Sequence, residues 1–181
     1  MPKLQPDQVH NFIVHTCQAL GSEPLEAELV ADQLVDANLA GHDSHGVGML
    51  PSYVDGAVNG RLRINSHPTV VVDGGALLTL DGNAGFGQVN GHEAMSMGME
   101  RASEHGVAVV GLRNSYHIGR IGHWAEQCAA GGFASLHLVN VIGHPPLVAA
   151  YGGAEARFGT NPFCAAVPGR DGRPGFLLDM A

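Results

Sequence analysis

The amino-acid sequence predicts an α/β protein with a mixed sheet, preceded by a helical N-terminal part. Three observations carry that expectation. Two runs with apolar residues at helical spacing occupy roughly the first 40 residues. From residue 85 onward, strand-like apolar runs alternate with helical ones, the pattern of α/β units. Hairpin patterns interrupt that alternation, so the sheet is not purely parallel.

The elements follow in order. From about Asp7 to Ala19, Val9, Phe12, Ile13 and Thr16 fall at helical spacing, and Gly21 ends the run. Ser22 is a candidate N-cap for a second helix carrying Leu25, Leu29, Val30, Leu34 and Ala37, which stops near Gly41. Residues 52–60 suit a short helix closed by Gly60. Thr69–Asp73 and Ala76–Asp81 read as a hairpin turning at Gly74-Gly75. A helix over Gln88–Glu104 places Val89, His92, Met95 and Met99 along one stripe. Val107–Leu112 reads as a buried strand, and the loop Asn114–Gly119 leads into a helix that contains Trp124 and ends at Gly131-Gly132. Phe133–Val139 is a further strand. Phe163–Val167 and Gly175–Asp179 are two more, joined at Gly169-Arg170-Asp171-Gly172. The terminal Phe176-Leu177-Leu178-Asp179-Met180-Ala181 stops on an apolar run without a cap or charged tail, and reads as a truncation.

Composition narrows the function. Of 181 residues 14% are charged and 45% hydrophobic, and the 26 glycines are about twice the usual share. Apolar runs without a G-x-y period exclude collagen and disorder, so the glycines mean sharp turns. The net charge is −8, Lys3 is the only lysine and the arginines are scattered, which argues against nucleic-acid or anionic-membrane partners. Cys17, Cys128 and Cys164 form no C-x-x-C pair and read as reduced, mostly buried thiols of a cytoplasmic protein. The N-terminus has no apolar signal-peptide core, and no run of ~18 apolar residues spans a membrane.

Familiar chemistry motifs are absent. With no lysine beyond Lys3 there is no phosphate-binding G-x-x-x-x-G-K-[ST] loop, and G-x-G-x-x-G, H-E-x-x-H and G-x-S-x-G do not occur. Gly82-Asn83-Ala84-Gly85-Phe86-Gly87 has free-amide character suited to a phosphate, although a plain strand-to-helix turn explains it better. Three polar clusters bordered by glycine remain. Gly41-His42-Asp43-Ser44-His45-Gly46 is a binding loop or a polar turn; adjacent residues rarely make a triad, and His42 with His45 lacks an obvious third metal ligand. Asn114 to Trp124 lies where a strand ends and a helix begins, the usual place for active groups in α/β sheets. There His117 is able to exchange a proton near neutral pH, and Arg120 to hold a carboxylate or phosphate. Arg157-Phe158-Gly159-Thr160-Asn161-Pro162 is equally a site edge or a tight turn into a strand.

Taken in order, Ser44-His45-Gly46, Pro51-x-Tyr53, Asn114-Ser115-x-His117-x-Gly119, Gly159-Thr160-Asn161-Pro162 and Leu178-Asp179-Met180-Ala181 resemble the type-2 malate/L-lactate dehydrogenase family. Residues 44–53 with 117–122 look most like its bacterial hydroxycarboxylate dehydrogenase branch. The resemblance implies a non-Rossmann, three-layer α/β/α fold with a mixed sheet. It implies a helical dimerisation and substrate part over 1–68 and the start of a cofactor-binding domain over 69–181. It further implies NAD, with NADP possible, a small 2-hydroxyacid or 2-oxoacid substrate and a homodimer. His117 is then the acid/base. His45, Gly119, Arg120, Ile121, Asn161, Leu178, Asp179, Met180 and Ala181 contact the cofactor, and Ser44, His45, Tyr53 and Arg120 the substrate. No metal is implied. Many members have a carboxylate-binding arginine where this chain has Met49; Arg120 is the expected replacement and Arg61 the alternative. The chain ends near the middle of the family's usual length, so this stretch alone is expected to be inactive. Imine reduction, a metal-dependent hydrolase built on His42, His45, His117 and His123, and a non-catalytic binding module are the competing readings.

Overall fold

A computed structural model describes residues 4–143, 145–171, 173 and 175–180. The chain falls into two compact units, Met1–Arg120 and Ile121–Ala181.

The first unit is built on two helices, α1 (Pro6–Ala19) and α2 (Pro24–Leu39), packed against each other. Each begins with proline, whose missing N–H costs nothing in a first turn. Position 23 therefore precedes the second helix, and Ser22 does not cap it; its hydroxyl donates to Glu26 at 2.7 Å. The α1 core stripe also differs from expectation. Ile13, Val14 and Cys17 are buried while Phe12 is 61% exposed, because the face turned to α2 lies one residue further round the helix. On α2 the buried face is Ala27, Val30, Ala31, Leu34, Val35 and Ala37, and Leu25 is exposed. Two short 3₁₀ turns, Asp43–His45 and Val47–Met49, run into α3 (Leu50–Val58).

The sheet of this unit has the order β1-β2-β3, from β1 (Thr69–Gly74), β2 (Leu77–Asp81) and β3 (Val109–Arg113). β1 pairs antiparallel with β2, and β2 parallel with β3, so the sheet is mixed as expected. The parallel pairing is made possible by α4 (Gly87–His105), the crossover between β2 and β3. Leu78 and Leu80 alternate inward against Ala94, while β1 is an edge exposed along its length. Of the expected stripe of α4 only Val89 is fully buried; beyond it Gly91, Ala94 and Gly98 are buried while Met95 is partly buried against the sheet, and a Cβ on Gly98 would come within 2.9 Å of Val110. Phe86 and Val89 join the same core as Ile13, Leu34 and Tyr53. That shared core is why residues 69–120 group with the N-terminal helices, and why the compact division falls beyond the residue-68 boundary drawn from the sequence.

In the second unit α5 (Ile121–Ala130) buries Ile121, Trp124, Ala125 and Cys128 and packs on an antiparallel sheet. That sheet has the order β4-β7-β8, with β4 (Ser135–Leu138), β7 (Phe163–Val167) and β8 (Phe176–Met180). The C-terminal hairpin expected from sequence is present, in the register Phe163↔Met180 to Val167↔Phe176. β5 (Val148–Ala149) and β6 (Ala156–Phe158) were not expected; strands of two and three residues are too short to show alternation.

Glu26 is the charged residue of the first core, 4% exposed, and accepts from the Ser22 hydroxyl and the Asn65 backbone N–H. Burial raises its carboxyl above the usual range, against the pull of those donors. Folding therefore favours the protonated form. Its contribution is complete below about pH 4.5 and falls away as pH rises through the higher folded value. Glu26→Gln is expected to remove that decline, seen as a Tm difference from wild type that changes in the variant's favour as pH is raised.

Candidate active site

Asn38, in the last turn of α2, shapes the first polar cluster. Its Nδ2 donates to Asp43 Oδ1 at 2.6 Å and its Oδ1 accepts from the Val47 N–H at 2.8 Å. Asp43 is thereby turned onto Asn38, so Asp43, Ser44 and His45 are not arranged as a triad in sequence order. Ser44 Oγ lies 2.9 Å from His45 Nδ1. Gly46 is required here, since a Cβ would collide with the Asn38 amide. The loop is a hydrogen-bonded platform that presents His45 and leaves Ser44 exposed.

The platform meets the second cluster. His117 stacks on His45, with ring centroids 5.4 Å apart and planes 28° from parallel. At its edge, His117 Nδ1 lies 2.8 Å from the Tyr53 hydroxyl of α3. Tyr53 is fully buried, edge-on to Phe86. Burial holds its phenol far above the ordinary range, so the hydroxyl keeps its proton. Behind it, Gln88 Nε2 donates to Tyr53 Oη at 2.9 Å and to Gln33 Oε1 at 2.8 Å. Gln33 Nε2 in turn donates to the Ile118 carbonyl at 3.2 Å. The histidine loop is thus tied at adjacent residues to one buried network.

Close backbone approach holds the loop in place. Gly119 has φ +68° and a Cβ there would strike Gln33; a Cβ on Gly87, at the start of α4, would strike the His117 carbonyl. Asn90, fully buried on α4, donates to the Gly82 carbonyl at 2.9 Å and lies 3.3 Å from Ser115 Oγ. The Gly82–Gly87 segment is a strand-to-helix turn, and the amides of its first four residues are taken up within the protein. Gly82 N–H reaches Arg113 O, Ala84 N–H reaches Asn114 O, and Gly85 N–H reaches Gly82 O.

The first unit therefore brings together Ser44, His45, Tyr53 and His117. Tyr53 faces the histidine from within the core, so its hydroxyl is a support for His117 rather than an open substrate donor. Arg120 is buried, Arg61 is exposed and paired with Asp55, and Met49 packs against the helical core. The second unit carries Ile121, Asn161, Leu178, Asp179 and Met180. There Asp179 accepts from the Gly122 N–H at 3.1 Å, in the first turn of α5. Ala181 lies outside the described residues. His123 sits on α5 against Trp124, and among the described residues no three His, Cys, Asp or Glu are grouped to hold a metal. Sequence reasoning missed Asn38, Gln33, Gln88 and Asn90. The signal available for the last three was polar residues on helices whose neighbours are small or apolar.

The malate/L-lactate dehydrogenase family matches residues 4–181. Hydroxycarboxylate dehydrogenase B of Escherichia coli (strain K12) is 57% identical over 173 residues, 96% of this chain and 47% of that protein. The structure of malate dehydrogenase from Pyrococcus horikoshii OT3 is 36% identical with a TM-score of 0.91, covering 99% of this chain and 50% of that one. Delta1-piperideine-2-carboxylate reductase from Pseudomonas syringae pvar. tomato is 26% identical with a TM-score of 0.85, covering 100% and 53%. The chain belongs to the malate/L-lactate dehydrogenase family, as its motifs suggested. It spans about half the length of the curated relatives it matches.

Asn38→Ala is expected to free Asp43 and leave the Val47 N–H unpaired, lowering stability by about 1–3 kcal/mol. Hydrogen exchange at the Val47 amide, measured beside chemical denaturation, should accelerate while amides of the β1–β2 hairpin keep their protection.

Proposed function

We propose that the protein is a pyridine-nucleotide-dependent dehydrogenase of small 2-hydroxyacids and 2-oxoacids, malate- or lactate-like, with His117 as the acid/base at the C2 oxygen. The observation that supports it most is the pinned pair of imidazoles. His117 is half-buried, bonded to Tyr53 on one side and stacked on His45 on the other. Interconversion of a 2-hydroxyacid and a 2-oxoacid leaves one proton to move at one oxygen, and imidazole is the side chain that ordinarily exchanges a proton near neutral pH. A bound NAD or NADP would supply the hydride acceptor or donor. On the family resemblance, His45, Gly119 and Arg120 of the first unit would contact such a group.

Ser44 and His45 orient the substrate. Arg120 clamps its carboxylate in place of the arginine that Met49 replaces; the guanidinium of Arg61 is already engaged by Asp55. The same histidine would serve a C=N bond, and a structural relative named as a piperideine-carboxylate reductase keeps imine reduction as the second reading. We assign the protein to the cytoplasm, supported by three buried cysteines without a disulfide, and expect a homodimer on the family resemblance. No described helix is long and apolar enough to cross a membrane.

The test is an assay of the full-length protein with NADH and NADPH against a panel of 2-oxoacids and cyclic imines. His117→Ala should lower kcat by roughly 10²–10⁴. Undiminished turnover in that variant would remove His117 from the chemistry. Arg120→Ala should raise KM for the oxoacid by about tenfold or more, the loss of a charge-assisted pair. Unchanged affinity and turnover would return the clamp to another residue.

A further inference from the structure

We propose that Gln33, Gln88 and Tyr53 are positioning residues that fix His117 in the tautomer carrying its proton on Nε2. This rests on the reading of His117 as the acid/base, and it adds which nitrogen holds the proton at rest.

The direction of every bond in the network follows from one backbone group. The Ile118 carbonyl can only accept, so the Gln33 group 3.2 Å from it is the amide N–H₂. Gln33 Oε1 therefore faces Gln88, and the Gln88 atom 2.8 Å away must donate. Turning the Gln88 amide over would set two carbonyl oxygens against each other. The alternative is disfavoured even though the present orientation leaves Gln88 Oε1 without a hydrogen-bond partner. The same Nε2 then points its second hydrogen at Tyr53 Oη, 2.9 Å away. Tyr53 has no exposed surface, so its own hydrogen goes to the remaining partner, His117 Nδ1 at 2.8 Å. With Nδ1 accepting, the proton of the neutral ring sits on Nε2.

The consequence is chemical. A 2-oxo oxygen, which only accepts, matches an N–H. A 2-hydroxyl proton finds no acceptor at Nε2 until the tautomer reverses, and reversal would leave the buried Tyr53 hydrogen facing an N–H donor. The resting site is set to hold the oxo form by a hydrogen bond. Handing a proton to the C2 oxygen then requires the ring to take a second proton on Nδ1, since a neutral ring that lost its Nε2 proton would be left as imidazolate.

Histidine-selective ¹⁵N labelling and long-range ¹H–¹⁵N correlation read the two ring nitrogens separately, with His117 assigned by the signals lost in His117→Gln. At a pH where the ring is neutral, Nε2 should show the protonated shift and Nδ1 the hydrogen-bonded acceptor shift, favoured roughly fivefold or more. Tyr53→Phe should move Nδ1 toward the shift of an acceptor without a hydrogen bond. Gln88→Glu places an acceptor opposite Tyr53 Oη and should reverse the pattern, with the proton on Nδ1. A protonated Nδ1 in the wild type, or His117 shifts unmoved by Tyr53→Phe, would overturn the proposal; the wild-type spectrum decides if a variant does not fold. The outcome is separable from the acid/base reading. His117→Ala with full turnover sinks that reading and leaves the tautomer standing, whereas a reversed tautomer sinks only the inference.

Discussion

Gln33 on α2 and Gln88 on α4 are each about 1% exposed. A buried amide without partners is costly, by about 1–3 kcal/mol per unmet group, so the two side chains must find each other and their neighbours. Their joint solution runs from the Ile118 carbonyl to the His117 ring through Tyr53. This one path couples α2, α3 and α4 to the loop after β3. The histidine is consequently located by the core rather than by its own loop.

Backbone clearance makes that coupling possible. Gly119 and Gly87 sit where any side chain would push the His117 segment off the helices, and Gly46 does the same for the loop beneath His45. Asparagines complete the arrangement: Asn38 gathers the residues that precede and follow His45, and Asn90 ties the β2–α4 turn to Ser115. Short polar side chains suit this work because they reach backbone groups one turn away without filling space. The same arrangement uses the Gly82, Ala84 and Gly85 amides to tie the turn on which Asn90 acts to itself and to the Arg113–Asn114 backbone.

Much of the architecture was legible. Residues 7–19, the run from Ser22 to near Gly41 and residues 88–104 carry long periodic patterns, and each forms a helix close to its expected limits. The two hairpins were equally plain, because valine-rich and leucine-rich alternation bounded by glycine has few other solutions. Faces were harder. Phe12 fits the apolar stripe of α1 by spacing, yet it faces solvent, since spacing defines a stripe only to within one residue. Ser22 had the chemistry of a cap, but Pro24 set the helix start and the serine served Glu26 instead.

The candidate site divides in the same way. Ser44, His45, His117 and Gly119 stood out as members of polar clusters bordered by glycine, one after a helix and one at the end of a strand. The family that their motifs indicate was legible in the sequence alone. Which residues hold them was not. Gln33 and His117 are separated by most of the first unit, and nothing local marks a glutamine as buried. Only the tertiary structure brings Gln33, Gln88 and Tyr53 into line, because the direction of a buried hydrogen-bond path is decided by which groups are forced to meet once water is excluded.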